Sequence, residues 1–257
     1  MASTAAAKPF RDRAYDAAMT LMGPLERMVM RSSLVPVTPY LDVEHFPWAR
    51  ELEEQWGVIR EELEGVLVYQ DDLPAFHELA ADVSVIAHDG WKTFFFCGYG
   101  FRADGNCARC PRTAALLDRI PGLTTAFFSI LPPGARLPPH RGPWGGVIRY
   151  HLGLIVPAPD ACGISVDGRI AHWAEGRSLV FDDSYEHTAW NESGAVRVVL
   201  FLDVLRPCRL PGSFVNRAVV GIAGHSPFLQ DAKRRYLAWE RRFTELHPVP
   251  DSFGQNS

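Results

Sequence analysis

His140 and His187 stand on either side of a strand-rich stretch, the first in PPHRGPWGG and the second in FDDSYEHTAW. A mononuclear non-haem iron site commonly uses a His-x-Asp/Glu pair and a distant histidine, three ligands on one face that leave positions open for substrate and oxygen. Here the residue two beyond His140 is Gly142, which has no side chain to ligate. Iron on His140 and His187 would keep two protein ligands, with water, chloride or a cosubstrate completing the sphere. A lone strand histidine is usually packed or hydrogen-bonded, so the surroundings matter more. His140 follows a Pro-rich turn and leads into RGPWGG, which lets a ligand approach the backbone closely, and His187 follows the polar FDDSYE at a strand end. Asp182 and Asp183 are expected to cap a turn or orient His187. A direct iron bond from either, or the substitution Gly142→Asp, would restore a third ligand.

Cations inside apolar strands give a second signal, because an unpaired buried charge is costly. In VIRYHLGL, Arg149 and His151 lie two apart and share one strand face, with Ile148, Tyr150 and Leu152 on the other. Arg197 sits among aliphatic residues in AVRVVLFLDVL. A salt bridge to Asp203, Asp182 or Asp183 is the ordinary explanation for one such arginine. All three groups together fit a small dicarboxylate, each end held by one arginine through paired hydrogen bonds, with a serine such as Ser129 adding a hydroxyl. 2-Oxoglutarate is the dicarboxylate that iron oxygenases consume.

These residues need a scaffold. From Val83 onward, VSVIA, WKTFFFCGY, TTAFFSIL, GVIRYHLGLIV, GISVDGRIAHW, SLVFDD and VRVVLFLDVL alternate with turn signals, which predicts a β-sandwich or barrel. Amphipathic spacing predicts helices within Phe10–Ser32, in WARELEEQWGVIREELEGVL, and after Pro207 in SFVNRAVVGIAG and PFLQDAKRRYLAWERRFTEL. His172 and Trp173 are expected on a surface hairpin after the Asp167-Gly168 turn, supporting the fold. Trp144 either lines a pocket or covers the barrel mouth. The 257 residues carry a net charge of −4, so no global attraction to nucleic acid is expected. No apolar run approaches the roughly 20 residues that span a bilayer and no secretory signal opens the chain, which predicts a cytoplasmic protein. Arg11, Arg13, Arg27 and Arg31 near the N-terminus, and the basic last helix, leave room for peripheral membrane contact. Five cysteines do not form a disulfide framework; Cys107 and Cys110 read as a structural turn with free thiols.

The run from Trp91 to Pro207, with NCARCPRT, IPGLTTAFFSILPPG, HRGPWGGVIRYHLGLIVP, FDDSYEHTAWN and VRVVLFLDVLRP, resembles the aspartyl/asparaginyl β-hydroxylase family. The resemblance implies a mainly β core, a double-stranded β-helix of the jelly-roll, cupin-like kind with flanking N- and C-terminal helices, and dependence on Fe(II) and 2-oxoglutarate. It matches His140 and His187 to the iron ligands and Gly142 to the glycine that replaces the carboxylate in animal peptide hydroxylases. It matches Arg149 and His151 to residues around the metal-proximal carboxylate of 2-oxoglutarate, and Ser129 and Arg197 to those holding the far one. His140, His187 and Arg149 are the expected catalytic residues. The implied organisation is an N-terminal helical extension over 1–40, an oxygenase domain over 41–206, and a C-terminal helical extension over 207–257 packed on the same domain. Bacterial relatives acting on lipid acyl chains share the RYHLGL and CARCPRT character but resemble HRD at the metal, so this chain mixes both groups. It lacks the long repeat region of the animal peptide hydroxylases. The expected reaction is hydroxylation of a C–H bond β to a carbonyl in an amino-acid, peptidyl or acyl substrate, releasing succinate and carbon dioxide. Chloride in the open position would instead give a radical halogenase, and structural histidines would leave a non-enzymatic small-acid binding barrel.

Overall fold

The computed structural model describes residues 22–76 and 90–248. The helical reading before residue 22 and the VSVIA run lie outside them. Among the described residues, strands β1 (Tyr40–Leu41), β2 (Lys92–Gly98), β3 (Phe101–Arg102), β4 (Leu123–Leu131), β5 (Arg136–His140), β6 (Val147–Ile155), β7 (Cys162–Val166), β8 (Arg169–His172), β9 (Ser178–Phe181), β10 (His187–Asn191) and β11 (Arg197–Leu205) build two antiparallel sheets. The larger runs β1-β9-β6-β11-β4-β2-β3 and the smaller β5-β10-β7-β8. This is the expected cupin-like double-stranded β-helix.

Helices cover the outer face of the large sheet: α2 (Trp48–Glu54), α3 (Trp56–Leu67), α4 (Asp104–Arg109) and α5 (Pro111–Leu117), with α7 (Pro227–Leu246) joining them from the C-terminal side. The expected helix over 48–67 breaks at Gln55 (φ −94°, ψ 9°), and both halves still turn Leu52, Ile59, Leu63 and Val66 into one core. Helix α1, over 22–31, packs beside α6 (Gly212–Gly224). Cys107 and Cys110 sit at the α4–α5 corner as buried free thiols.

Strand alternation separates two cores. Along β11, Val198, Leu200 and Leu202 enter the helix-covered core, while Val199 and Phe201 face the small sheet. Along β4, Phe128 and Ile130 take the first side, and Phe127 and Leu131 the second. On β6, Ile148, Tyr150, Leu152 and Leu154 join the helix-covered core. Their neighbours Arg149 and His151 therefore project between the sheets, as does Arg197 at the start of β11.

The PPH segment expected as a turn is strand: Arg136–His140 forms an edge of the small sheet. An edge tolerates Pro138 and Pro139 because an outward position needs no N–H donor. The Asp167-Gly168 turn has both residues at positive φ (52° and 74°), the tight form that matches strand twist. His172 at the end of that hairpin is exposed, but Trp173 turns inward and is 1% exposed.

Candidate active site

The inter-sheet face gathers the predicted residues. His140 ends β5 and His187 begins β10, where they are register partners with ring centroids 4.1 Å apart. Each ring is fixed by its own strand: His140 Nδ1 donates to Pro138 O (2.8 Å) and His187 Nδ1 to Tyr185 O (3.0 Å). A carbonyl can only accept, so both rings carry the proton on Nδ1 and offer an Nε2 lone pair, the tautomer that a metal requires. Burial lowers the tendency of His140 to protonate, and burial with nearby Arg149 and His140 lowers the pKa of His187 to about 3. Both are therefore neutral at ordinary pH.

A series of side chains leads away from this pair. Phe181 packs edge-on to His187 (5.5 Å) and to His151 (5.2 Å). Trp173 Nε1 donates to His151 Nδ1 (3.3 Å), and the Arg197 guanidinium lies 4.4 Å over the Trp173 ring. Burial, then Arg197 and Arg149, hold His151 well below its ordinary pKa, so it is neutral with its proton on Nε2. That N–H is buried without a partner.

Arg197 has lost every expected partner. Asp203 and Asp183 both engage Arg149, with Arg149 Nε to Asp203 Oδ1 at 2.9 Å and Nη2 to Asp183 Oδ2 at 2.9 Å. Asp182 pairs with Arg206. The Arg197 Nε has no hydrogen-bond partner, and burial pulls its pKa down to about 10. Ser129 shares this inter-sheet face one register step away, opposite Val199 while Arg197 opposes Leu131. Its Oγ accepts from Trp91 Nε1 (3.0 Å), which leaves the hydroxyl proton to donate. Arg197, Ser129 and His151 thus present donors in an apolar cleft, an arrangement that fits an anionic carboxylate.

Arg149 differs from that expectation. Its two aspartates hold the guanidinium in its charged form against the opposing effect of burial. Phe201 stacks beneath it at 4.5 Å. Any carboxylate bound there would share Arg149 with Asp183 and Asp203. Tyr99, at φ 26° in the β2–β3 turn, adjoins this cluster, and burial followed by Asp203 raises its phenol above the ordinary value.

Gly142 is filled space. Its N–H donates to Asp183 O (2.7 Å), and an added Cβ would overlap the Asp183 carboxylate. Among the described residues, no three His, Cys, Asp or Glu side chains converge as a metal site, so neither Asp182 nor Asp183 completes the histidine pair. Burial first, and Asp203 against the pull of Arg149, raise Asp183 to about 7. Gly142→Asp would thus displace Asp183 before it could supply a ligand. We expect a loss of about 1–3 kcal/mol by denaturant unfolding, the range for overpacking, with recovery when Asp183→Gly is added.

Trp144 neither lines the cleft nor caps it. It is buried outward under α1 and α6, with Nε1 donating to Asn216 Oδ1 (2.8 Å).

The family model for aspartyl/asparaginyl β-hydroxylase matches residues 53–207. The chain belongs to this family. It is 45% identical over 227 residues to an ornithine lipid ester-linked acyl 2-hydroxylase of Rhizobium tropici, covering 88% of this chain and 81% of that protein. It is 32% identical over 163 residues to the aspartyl/asparaginyl β-hydroxylase of Homo sapiens, covering 62% of this chain but 21% of that one. A cupin 2 barrel protein of Salinispora arenicola aligns over 51% of this chain and 87% of its own, at 6% identity and TM-score 0.32. The family is one of hydroxylases. Asp183 and Asp203, expected to orient His187 and to pair with Arg197, both pair with Arg149 instead, and Trp173, expected on the surface hairpin, packs inward against His151 and Arg197.

Proposed function

We propose that this protein is an Fe(II)- and 2-oxoglutarate-dependent hydroxylase of a lipid acyl chain, acting at the carbon next to an ester carbonyl. The observation that carries the reading is a buried, unpaired Arg197 joined through Trp173, His151 and Phe181 to a histidine pair with both Nε2 atoms free. Iron on His140 and His187, with 2-oxoglutarate and oxygen, supplies the oxidation that converts C–H to C–OH. Arg197 and Ser129 bind the far carboxylate of the cosubstrate. His151 donates its Nε2 proton toward the near end, beside Arg149. Phe127, Phe181 and Phe201 exclude water from the cleft.

The acyl substrate is favoured because similarity to the lipid hydroxylase extends over most of both proteins. The two chemistries named for the relatives share one feature. The β carbon of aspartate or asparagine is bonded to the side-chain carbonyl, and carbon 2 of an acyl chain to the ester carbonyl. Halogenation is disfavoured, since Asp183 already fills the volume that the missing side chain of Gly142 would leave for chloride.

Iron-loaded protein, 2-oxoglutarate and oxygen are incubated with an ester-linked acyl aminolipid, a peptide containing aspartate, or free aspartate. We expect succinate and one added oxygen atom on the lipid acyl chain only. Hydroxylated peptide without hydroxylated lipid would overturn the substrate, and no binding or turnover of 2-oxoglutarate would overturn the enzyme reading.

A further inference from the structure

Helix α6 buries only Gly212, Asn216 and Gly224. Phe214, Ala218 and Ile222 recur every fourth residue and therefore line one face, joined by Arg217 and Gly221. That face is open: Phe214 is 71% exposed, Ile222 74%, and Leu210 just before the helix 79%. The end of α1 continues it. Leu34 N donates to Pro207 O and Arg209 N to Ser32 O, both at 2.8 Å, which brings the exposed Met28 and Leu34 alongside.

Charge identifies the occupant. Arg27, Arg31, Arg209 and Arg217 are exposed along this surface and make no ion pair among the described residues. Residues 207–226 contain no aspartate or glutamate, although the whole chain carries −4. Helix α7 is the contrast, with Arg234 and Arg235 both paired to Asp231. Apolar side chains edged by unpaired guanidinium groups fit a layer with hydrocarbon beneath and phosphate above.

We infer that the α1–α6 surface docks on an anionic lipid bilayer. The same helices grip the loop that carries the metal histidine. Glu26 Oε1 accepts from Gly145 N (2.7 Å), and Asn216 Nδ2 donates to Gly146 O (2.7 Å). Docking therefore sets the His140–Gly146 loop directly behind the helices that meet the lipid. This deepens the acyl-lipid reading and rests on it for its purpose, although docking needs neither iron nor cosubstrate.

The test is flotation of iron-free full-length protein with phosphatidylcholine vesicles, with and without phosphatidylglycerol. We expect capture by the anionic vesicles and release by salt. Phe214→Asp with Ile222→Asp should lower capture by more than about tenfold, and Arg209→Gln and Arg217→Gln by about fivefold each. The variants should keep the thermal shift given by 2-oxoglutarate, which shows that the barrel is intact. No flotation of the wild type, or equal flotation of the variants, would overturn docking. So would a concentration-dependent dimer abolished by the same substitutions, because a second copy would then cover the face. Docking without lipid hydroxylation would leave this inference standing and remove the substrate, and lipid turnover without docking would do the reverse.

Discussion

Arg197→Met is expected to make the unloaded protein more stable and to abolish its response to 2-oxoglutarate. A buried guanidinium without a counter-ion carries a desolvation cost of several kcal/mol that nothing in the cleft offsets except the Trp173 face. Methionine has similar length and no charge. We expect a gain of about 1–4 kcal/mol, or roughly 2–4 °C in melting temperature per kcal/mol for a chain of this size. The wild type should gain about 2.7 kcal/mol from 2-oxoglutarate at a hundred times its dissociation constant, and the variant almost none. Its affinity should fall roughly 30- to several-thousand-fold, the range for losing one partner of a buried charge pair. Calorimetry with and without the ligand measures both effects. A destabilised variant that still binds 2-oxoglutarate would assign Arg197 to the fold alone.

Arg206 is the opposite case. Its side chain and that of Asp182 are both fully buried, and they pair with each other. Arg206 Nε also donates to Gly145 O (2.6 Å), so the ion pair reaches the loop that follows His140. Arg206→Met leaves Asp182 with only the Ser184 donors. Breaking a buried pair from one side costs about 3–5 kcal/mol, seen as a melting temperature lower by roughly 6–20 °C. Adding Asp182→Leu removes the stranded charge and should recover much of the loss. If the single variant melted with the wild type, the pair would contribute nothing.

These two arginines also mark where sequence reading stops. The alternation of Arg149 and His151 against Ile148, Tyr150 and Leu152 is local, so VIRYHLGL already implied a polar face. Which aspartate meets which arginine is a matter of register. Arg149 meets Asp203 because β6 and β11 align those residues, and Asp182 is taken by Arg206, the residue just after β11. Three candidate carboxylates could not be matched from spacing to Arg149, Arg197 and Arg206. Trp173 was misplaced for a related reason: the Asp167-Gly168 turn is a local signal, but the inward turn after β8 is set by packing against Arg197 and His151. The prolines of PPH suggested a turn because edge position cannot be read from one strand. His140, His187 and Gly142 were legible as residues, while the filling of the space at Gly142 by Asp183 depended on two loops meeting.

Strand β11 serves the helix-covered core with one set of side chains and the cleft with the other. Its length is therefore constrained more tightly than its composition. One residue inserted after Arg197, with the rest of the strand still paired, would turn that guanidinium away from the cleft. Substitutions along β11 can be graded in their effects, but a single codon gained or lost there acts on stability and chemistry together. Length variation in this protein must be taken up by its loops.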